Sequence, residues 1–418
     1  MNTSRWRVAA LRLTRRLWFR LAAFAGAAVL VALLAGAAGE WATAAVPVDL
    51  GQDSVRTMLQ ILATSMLAAT TFSLTVMVSA YATAASSSTP RATQLLIQDQ
   101  TSQHALATFL GSFVFAVVGI AALATGYYGE EGRIVLYIGT LVVIAIIVVT
   151  LLRWIQHLVG FGRMADVLNR VEAAACEAAA ADARHPYLGG VAPIDAPAGA
   201  WPVFAEGAGV VTHVDVEAVG RAAEADGLRV HLQVRAGAVV ARGQELARVD
   251  GPRNDDAERS VRSAVLIERH RTYDQDARLG MIALGEIGSR ALSPSTNDPG
   301  TAIEALNAVL RVLTVTLTTE PDREILHPRV HVPPVELQDL VEDAIRPIAR
   351  DGAALVEVGL RVQKVIGGLA GLTEDARLVA LREASRRAER RALERLTDPH
   401  DRALIRAAAS VARGEDAT

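Results

Sequence analysis

Four stretches of the chain carry no charged residue: Leu21 to Gly39, Thr57 to Pro90, Ala105 to Gly129 and Ile134 to Leu152. A bilayer core roughly 30 Å thick takes about 20 apolar residues at helical rise, and lipid offers no partner for an unpaired backbone amide. Each stretch therefore predicts a spanning helix, over about 17–39, 57–83, 105–128 and 134–158, in a transmembrane domain at 1–160. Past that point the apolar runs shorten. Residues 161–200 read as an Ala-rich connecting helix and a Gly/Pro linker. Residues 201–251 alternate in short Val-rich runs and predict a small β-rich subdomain, while 252–418 follow helical periodicity to the C-terminal helices. The expected fold class is an α-helical membrane domain of four transmembrane helices plus an α+β cytosolic domain with a mainly helical remainder.

Arginines fix the expected orientation. Arg5, Arg7, Arg12, Arg15, Arg16 and Arg20 precede the first span, Arg91 lies in the second loop, and Arg153, Arg163 and Arg170 follow the fourth, with only Arg56 and Arg133 on the other side. The positive-inside rule then places both termini in the cytoplasm of a cell with an inner membrane, and Trp18 and Trp154 at the inner headgroup layer with Trp41, Tyr127 and Tyr128 at the outer one. A second reading makes the first stretch a cleaved signal peptide, since its basic start and apolar core run into Ala35, Gly36 and Ala37. The later spans keep their orientation either way.

Within the second span Thr64, Thr71, Thr75, Ser79 and Ser86 share roughly an 80° arc at helical spacing. Such a hydroxyl stripe fits close helix packing or the wall of a polar path in a homo-oligomer. No Asp, Glu, Lys or Arg falls inside the charge-free stretches, which removes the usual signature of proton- or ion-coupled transport.

The polar richness of the second half concentrates in ERHRTYDQDARLGMIALGEIGSRALSPSTNDPGTAIEALNAVLRV, residues 268–312. Leu279, Ile282, Ala283, Ile287 and Ala291 form the apolar stripe of one helix, with Glu286 and Arg290 at i and i+4 as an expected ion pair. Asp298 before Pro299 is a helix start, because the carboxylate accepts orphan amides and proline at the first helical position has none to lose. Arg271, Asp274, Gln275, Asp276, Arg290, Ser293, Ser295, Asn297, Asp298 and Thr301 form a candidate polar site. In an enzyme, Asp274 or Asp276 would serve as base and Arg271 or Arg290 as anion holder; in a plain fold they form a structural network.

Other chemistry is scarce. A lone cysteine, Cys176, allows neither an internal disulfide nor a cysteine metal cluster. His327 and His331 stand four apart, but Pro328 breaks the helix that would align them, so no metal is expected. AGAVVARGQELARV resembles the strand-and-turn pattern of lipoyl- and biotinyl-type barrels, with Gly237 and Gly243 at left-handed turns. A carrier role is excluded because the single lysine, Lys364, lies far from the turn. A net charge of −3 gives no basic field for nucleic acid. Walker, dinucleotide, nucleophile-elbow and zincin signatures are missing from the sequence, so no cofactor is expected and an enzyme is not favoured. From Thr373 the chain reads as an ion-paired helix, split at the second Asp-Pro start in TDPHD.

FSLTVMVSAYATAASSSTPRATQLLIQDQTSQHALATFLGSFVFA, WIQHL, GVVTHVD, RTYDQDARLG and RALSPSTNDPGTA together resemble the bacterial predicted-membrane-protein family known as domain of unknown function 2254. The resemblance covers most of the chain and implies the membrane topology without an activity. The partners expected are the bilayer and copies of the chain. Three functional readings stay open: an oligomeric passive channel or envelope assembly, a membrane-tethered enzyme or small-ligand sensor using the polar loop, and a structural scaffold.

Overall fold

The computed structural model describes residues 17–37, 52–87, 89–97, 99–128, 130–322, 324–374 and 376–415. By contact these sort into two units, one of residues 17–87 and 93–166 and one of residues 89–92 and 167–415.

The first unit is wholly helical. Its elements are α1 (Leu17–Ala37), α2 (Gln52–Ser87), the short α3 (Pro90–Ile97), of which residues 93–97 belong to it, α4 (Gln100–Ala124) and α5 (Glu130–Gly160). Four helices among the described residues are long and apolar enough to cross a membrane: Asp53–Ala85, Pro90–Ala124, Gly132–Gly160 and, further on, Pro299–Thr318. In α1 the qualifying apolar segment is the shorter Leu21–Val31. Three of these fall in the expected second, third and fourth stretches, the first stretch lies partly outside the described residues, and Pro299–Thr318 is a further candidate by length and composition. That helix, however, buries Ala302, Leu306, Val309 and Leu313 along one stripe of its own unit. In the all-helical unit, Leu59, Phe109, Phe115, Leu136 and Trp154 are sealed inside, while Ile61, Phe72, Leu152 and Val159 stand exposed. Large apolar groups on the outside suit a lipid surround.

Trp154, expected at the inner headgroup layer, faces protein. It is 2% exposed and packs against His157 and Phe161 with ring centroids 5.8 and 6.4 Å away. Trp41, and the side chains of Trp18 and Ser86, lie outside the described residues.

The second unit opens with α6 (Met164–Arg184), of which residues 167–184 belong to it. Two small sheets follow, built from β1 (Trp201–Phe204), β2 (Gly209–Val214), β3 (Arg229–Leu232), β4 (Val239–Val240), β5 (Glu245–Asp250), β6 (Val265–Glu268) and β7 (Val330–His331), with α7 (Val216–Ala225) and α8 (Asp255–Ala264) packed on them. The strand orders are β1-β5-β3-β7 and β4-β2-β6. Every pair is antiparallel except β3 with β7. Val203, Val211, Val219, Val230, Leu246 and Val261 lie in one core between sheets and helices. Gly237 and Gly243 hold φ of 93° and 80°, the left-handed turns their sequence requires. The two strands of AGAVVARGQELARV nevertheless belong to different sheets, β4 pairing with β2 and β5 with β1 and β3.

The helical remainder comprises α9 (Ala277–Ala291), α10 (Pro299–Thr318), α11 (Leu337–Asp351), α12 (Val356–Ala370), α13 (Ala376–Arg395) and α14 (Pro399–Arg413). Asp276, Asp298 and Asp398 each accept backbone amides at the start of α9, α10 and α14. Glycine lets α9 approach its neighbours: a Cβ on Gly280 would collide with that of Ala175, and one on Gly285 would stand 2.6 Å from the Asp343 carbonyl oxygen. Ion pairs lace the tail, Arg387 with Glu383 and Glu342, and Arg413 with Glu389.

Candidate functional site

The candidate polar set is divided by the helix at its centre. Arg271 and Asp276 close a two-bonded ion pair at 2.6 and 2.8 Å just before α9. Asp276 is 1% exposed, and its Oδ1 also accepts from the Arg278 and Leu279 amides, at 3.1 and 3.2 Å. This carboxylate is committed to holding a helix start. Gln275 spends its amide on one residue, Oε1 accepting from the Val214 amide at 2.8 Å and Nε2 donating to the Val214 carbonyl at 3.2 Å.

Ser293, Ser295, Asn297, Asp298 and Thr301 sit past the other end of α9, and Arg290 in its last turn. Fifteen residues at 1.5 Å rise place the two groups roughly 20 Å apart along the helix. Ser293 Oγ lies 3.2 Å from the hydroxyls of Ser295 and Thr296. Asn297 takes φ of 48°, and the Asp298 amide bonds the Ala291 carbonyl at 2.8 Å. The Thr301 hydroxyl and amide hold the Asp298 carboxyl below its ordinary range. The loop is a turn between helices. Glu286 also departs from expectation: its Oε1 meets Arg91 and not Arg290, because residues 89–92 belong to this unit, and its buried Oε2 makes no hydrogen bond.

Asp274 and Gln275 do reach an open feature, a cleft of about 630 Å³ that also takes in His185, His213, Arg235 and His327. Its walls come from distant parts of the sequence. The last turn of α6 brings Asp182, the loop after it brings His185 and Leu188, and the junction of β2 with α7 brings His213, Asp215 and Glu217. Leu326 and His327 close it from the segment before β7. Arg235 is the fixed point: 9% exposed, it donates to the Pro186 and Pro333 carbonyls at 2.8 and 3.0 Å and pairs with Asp182. Burial pushes the Asp182 carboxyl up, against the pull of Arg235. Asp215 is a helix cap, bonding the Ala218 amide at 2.9 Å. His327 packs so closely on α7 that a Cβ on Gly220 would collide with its ring at Nδ1. Imidazoles, carboxylates and an apolar wall thus share one concavity of the size that takes small molecules. Among the described residues no group of three or more His, Cys, Asp or Glu side chains has the geometry to hold a metal ion.

The helical unit holds a second polar cluster that sequence reasoning passed over. Asp99 lies between α3 and α4, inside the candidate span Pro90–Ala124. It accepts from the Ser102 amide at 2.7 Å and from its hydroxyl at 2.5 Å, and its Oδ2 lies 2.9 Å from His157 Nε2. Ser102 and Asp99 are buried. The Ser102 amide and hydroxyl and His157 Nε2 all meet this one oxygen, and the Ser102 hydroxyl lies 3.5 Å from that same nitrogen, so the histidine does not link serine to aspartate through its two ring nitrogens as a relay would require. Asp99 lies just before the third charge-free stretch and within the longer candidate span Pro90–Ala124. The hydroxyl stripe is turned outward: Thr64, Thr71, Thr75 and Ser79 are exposed. Thr64, Thr71 and Thr75 donate to carbonyls one turn back, at 3.0, 3.0 and 2.9 Å.

Several apolar helices of spanning length beside a mixed unit with a polar cleft define a multi-pass membrane protein with an appended folded domain. The family model described as "Predicted membrane protein (DUF2254)" matches residues 14–367. The chain belongs to that family. It is also similar to an uncharacterized protein of Mycobacterium bovis, 26% identical over 259 residues, 58% of this chain and 48% of the relative. An uncharacterized protein of Mycobacterium tuberculosis shows the same 26% identity over 259 residues, with 58% of this chain and 48% of the relative covered. The chain spans about half the length of these curated relatives. No solved structure matches it.

Proposed function

We propose that the protein is a membrane-anchored small-ligand-binding protein, held in the inner membrane by its apolar helices with both termini and the second unit in the cytoplasm. The observation that carries this reading is the cleft of about 630 Å³, whose lining includes His185, His213, His327 and Asp274 together with the Arg235–Asp182 pair. Its residues offer hydrogen-bond donors and acceptors over Leu188, Val214 and Leu326, which suits a small ligand with polar groups on an apolar body. Its lining holds no Ser, Thr, Cys or Lys.

Thermal unfolding of the full-length protein in detergent, against a panel of cytoplasmic metabolites, tests the reading. A ligand at a hundred times its Kd adds about 2.7 kcal/mol. The expected result is a ligand that raises the melting temperature of the wild type and leaves a His185→Ala variant unmoved, with the ligand-free melting of the variant unchanged. A panel without a single shift contradicts it.

Self-association in the bilayer is the second reading, favoured by the outward hydroxyl face of α2. Cross-linking in native membranes that yields only monomer contradicts that reading and leaves the cleft untouched.

A further inference from the structure

Strand β7 is two residues long, yet it ties two distant segments to the four-stranded sheet. The Val230 amide donates to the Arg329 carbonyl at 2.9 Å, the Val191 amide to the Val330 carbonyl at 2.9 Å, and the Val332 amide to the Val191 carbonyl at 3.0 Å. A strap at residues 187–192 is thereby sewn to 329–332, and 329–332 to β3. The same strap supplies the Gly189 carbonyl that accepts from the Leu326 and His327 amides at 3.0 and 2.9 Å. Leu188, Gly189, Leu326 and His327 all line the cleft.

At the centre of this seam two histidines lie in register, His231 of β3 against His331 of β7. Their rings are stacked, with centroids 4.6 Å apart and planes within 6°. Both are buried, His231 at 2% exposed and His331 at 9%. His331 Nδ1 is 2.8 Å from the Ala192 carbonyl, so that nitrogen carries the proton and donates to the strap. Neither ring nitrogen of His231 makes a hydrogen bond of ordinary geometry. Two neutral imidazoles stack without charge repulsion, whereas a proton on His231 sets a buried cation against its neighbour with little beyond the Ile194 backbone to stabilise it.

We propose that the His231–His331 stack is an acid-sensitive latch, closed while both rings are neutral, whose opening on protonation frees the strap at 187–192 and loosens one wall of the cleft.

The charged surroundings do little to rescue the protonated form. On β3 the neighbour is Arg229, a further positive charge. On β5 Arg248 stands opposite His231 and is paired with Glu245, and Asp250 lies opposite Arg229. Beside β7, Arg329 bonds the Gly227 carbonyl. The strap from Gly190 to Ile194 carries no charged side chain. On α7, Glu217 and Arg221 pair with each other. Burial first and His331 second hold the His231 imidazole below the ordinary histidine range, against smaller opposing pulls from the Ile194 backbone and Asp250. A depressed histidine leaves the closed seam at full strength above the ordinary histidine value, about 6.5, and weakens it as pH falls below that value.

Hydrogen exchange on the full-length protein in nanodiscs between pH 7.5 and 5.5, corrected for the intrinsic exchange rate, reads the latch without any ligand and so stands apart from the cleft reading. The Val191, Val230 and Val332 amides should lose protection below about pH 6.5, by up to about tenfold per pH unit for one proton taken up on opening. The Leu284 and Val309 amides of α9 and α10 should hold theirs. A His231→Phe variant, which keeps a ring in the stack and removes the titrating site, should flatten the dependence. The latch is overturned if the strap amides of the wild type show no pH dependence, if all amides lose protection together, or if His231→Phe keeps the full wild-type response. Should that variant fail to fold, the wild-type comparison of strap with helix amides decides alone.

Discussion

Tyr273 Oη donates to the Arg91 carbonyl at 3.2 Å, although 182 residues separate the two in the chain. The Arg91 guanidinium meanwhile pairs with Glu286. The short Thr89–Ala92 segment, which in sequence lies between two apolar helices, is thus held from both its backbone and its side chain. Burial, with Glu286 second, pushes the Tyr273 phenol far above its ordinary value, so it stays a neutral donor at any working pH.

Tyr273→Phe should cost about 1 kcal/mol, the net worth of one hydrogen bond. For Arg91 and Glu286, side chains 42% and 32% exposed, solvent screening keeps the pairwise coupling to about 1 kcal/mol or less. Chemical denaturation of the full chain in detergent, with Arg91→Ala and Glu286→Gln alone and combined, measures that coupling. Strictly additive losses would show that the pair contributes nothing.

Two aspartates at helix starts should respond differently. Asp298 is an exposed cap, so Asp298→Ala should cost about 1 kcal/mol. Asp276 caps α9 and also neutralises Arg271 in the interior, so Asp276→Ala should cost about 3 kcal/mol or more. Equal losses in the same denaturation series would refute the distinction drawn from burial.

Close helix contact rests on hydrogen in place of a side chain. Gly280→Ala would drive a methyl into Ala175 and Gly285→Ala would drive one into the backbone of α11, each costing about 1–3 kcal/mol through forced separation of helices. Gly199, where a methyl would meet nothing within 4 Å, should accept alanine without loss. Melting temperatures of the three variants check the order.

In the helical unit, Asp99→Ala should destabilise more than Ser102→Ala. The first removes the cap of α4 together with the partner of His157, while the second leaves the Asp99–His157 contact in place. Thermal unfolding in detergent ranks the two variants, and a larger loss for Ser102→Ala would contradict the assignment of Asp99 as the hub.

What could be read from sequence was local. Charge-free length marks apolar helices, Asp298-Pro299 and Asp398-Pro399 mark helix starts, and glycine at 237 and 243 marks left-handed turns, because each signal depends on residues close together in the chain. The Asp99–His157 contact joins residues 58 apart and Arg91–Glu286 joins residues 195 apart. No periodicity links such partners. The cleft was visible only as Asp274 and Gln275; His185, His213 and His327 reach it through chain crossings that a linear pattern does not encode. Conversely, clustering in sequence misled for Ser293 and Asn297, since a helix of 15 residues keeps them from Arg271 and Asp276.

The reading of a cytoplasmic ligand-binding unit anchored by apolar helices is tested most directly by topology. A single cysteine introduced at the exposed Gly199, in a Cys176→Ser background, can be probed with a membrane-impermeant maleimide in intact spheroplasts and in inverted vesicles. Labelling in inverted vesicles alone is the predicted result, and labelling in intact spheroplasts would contradict the account.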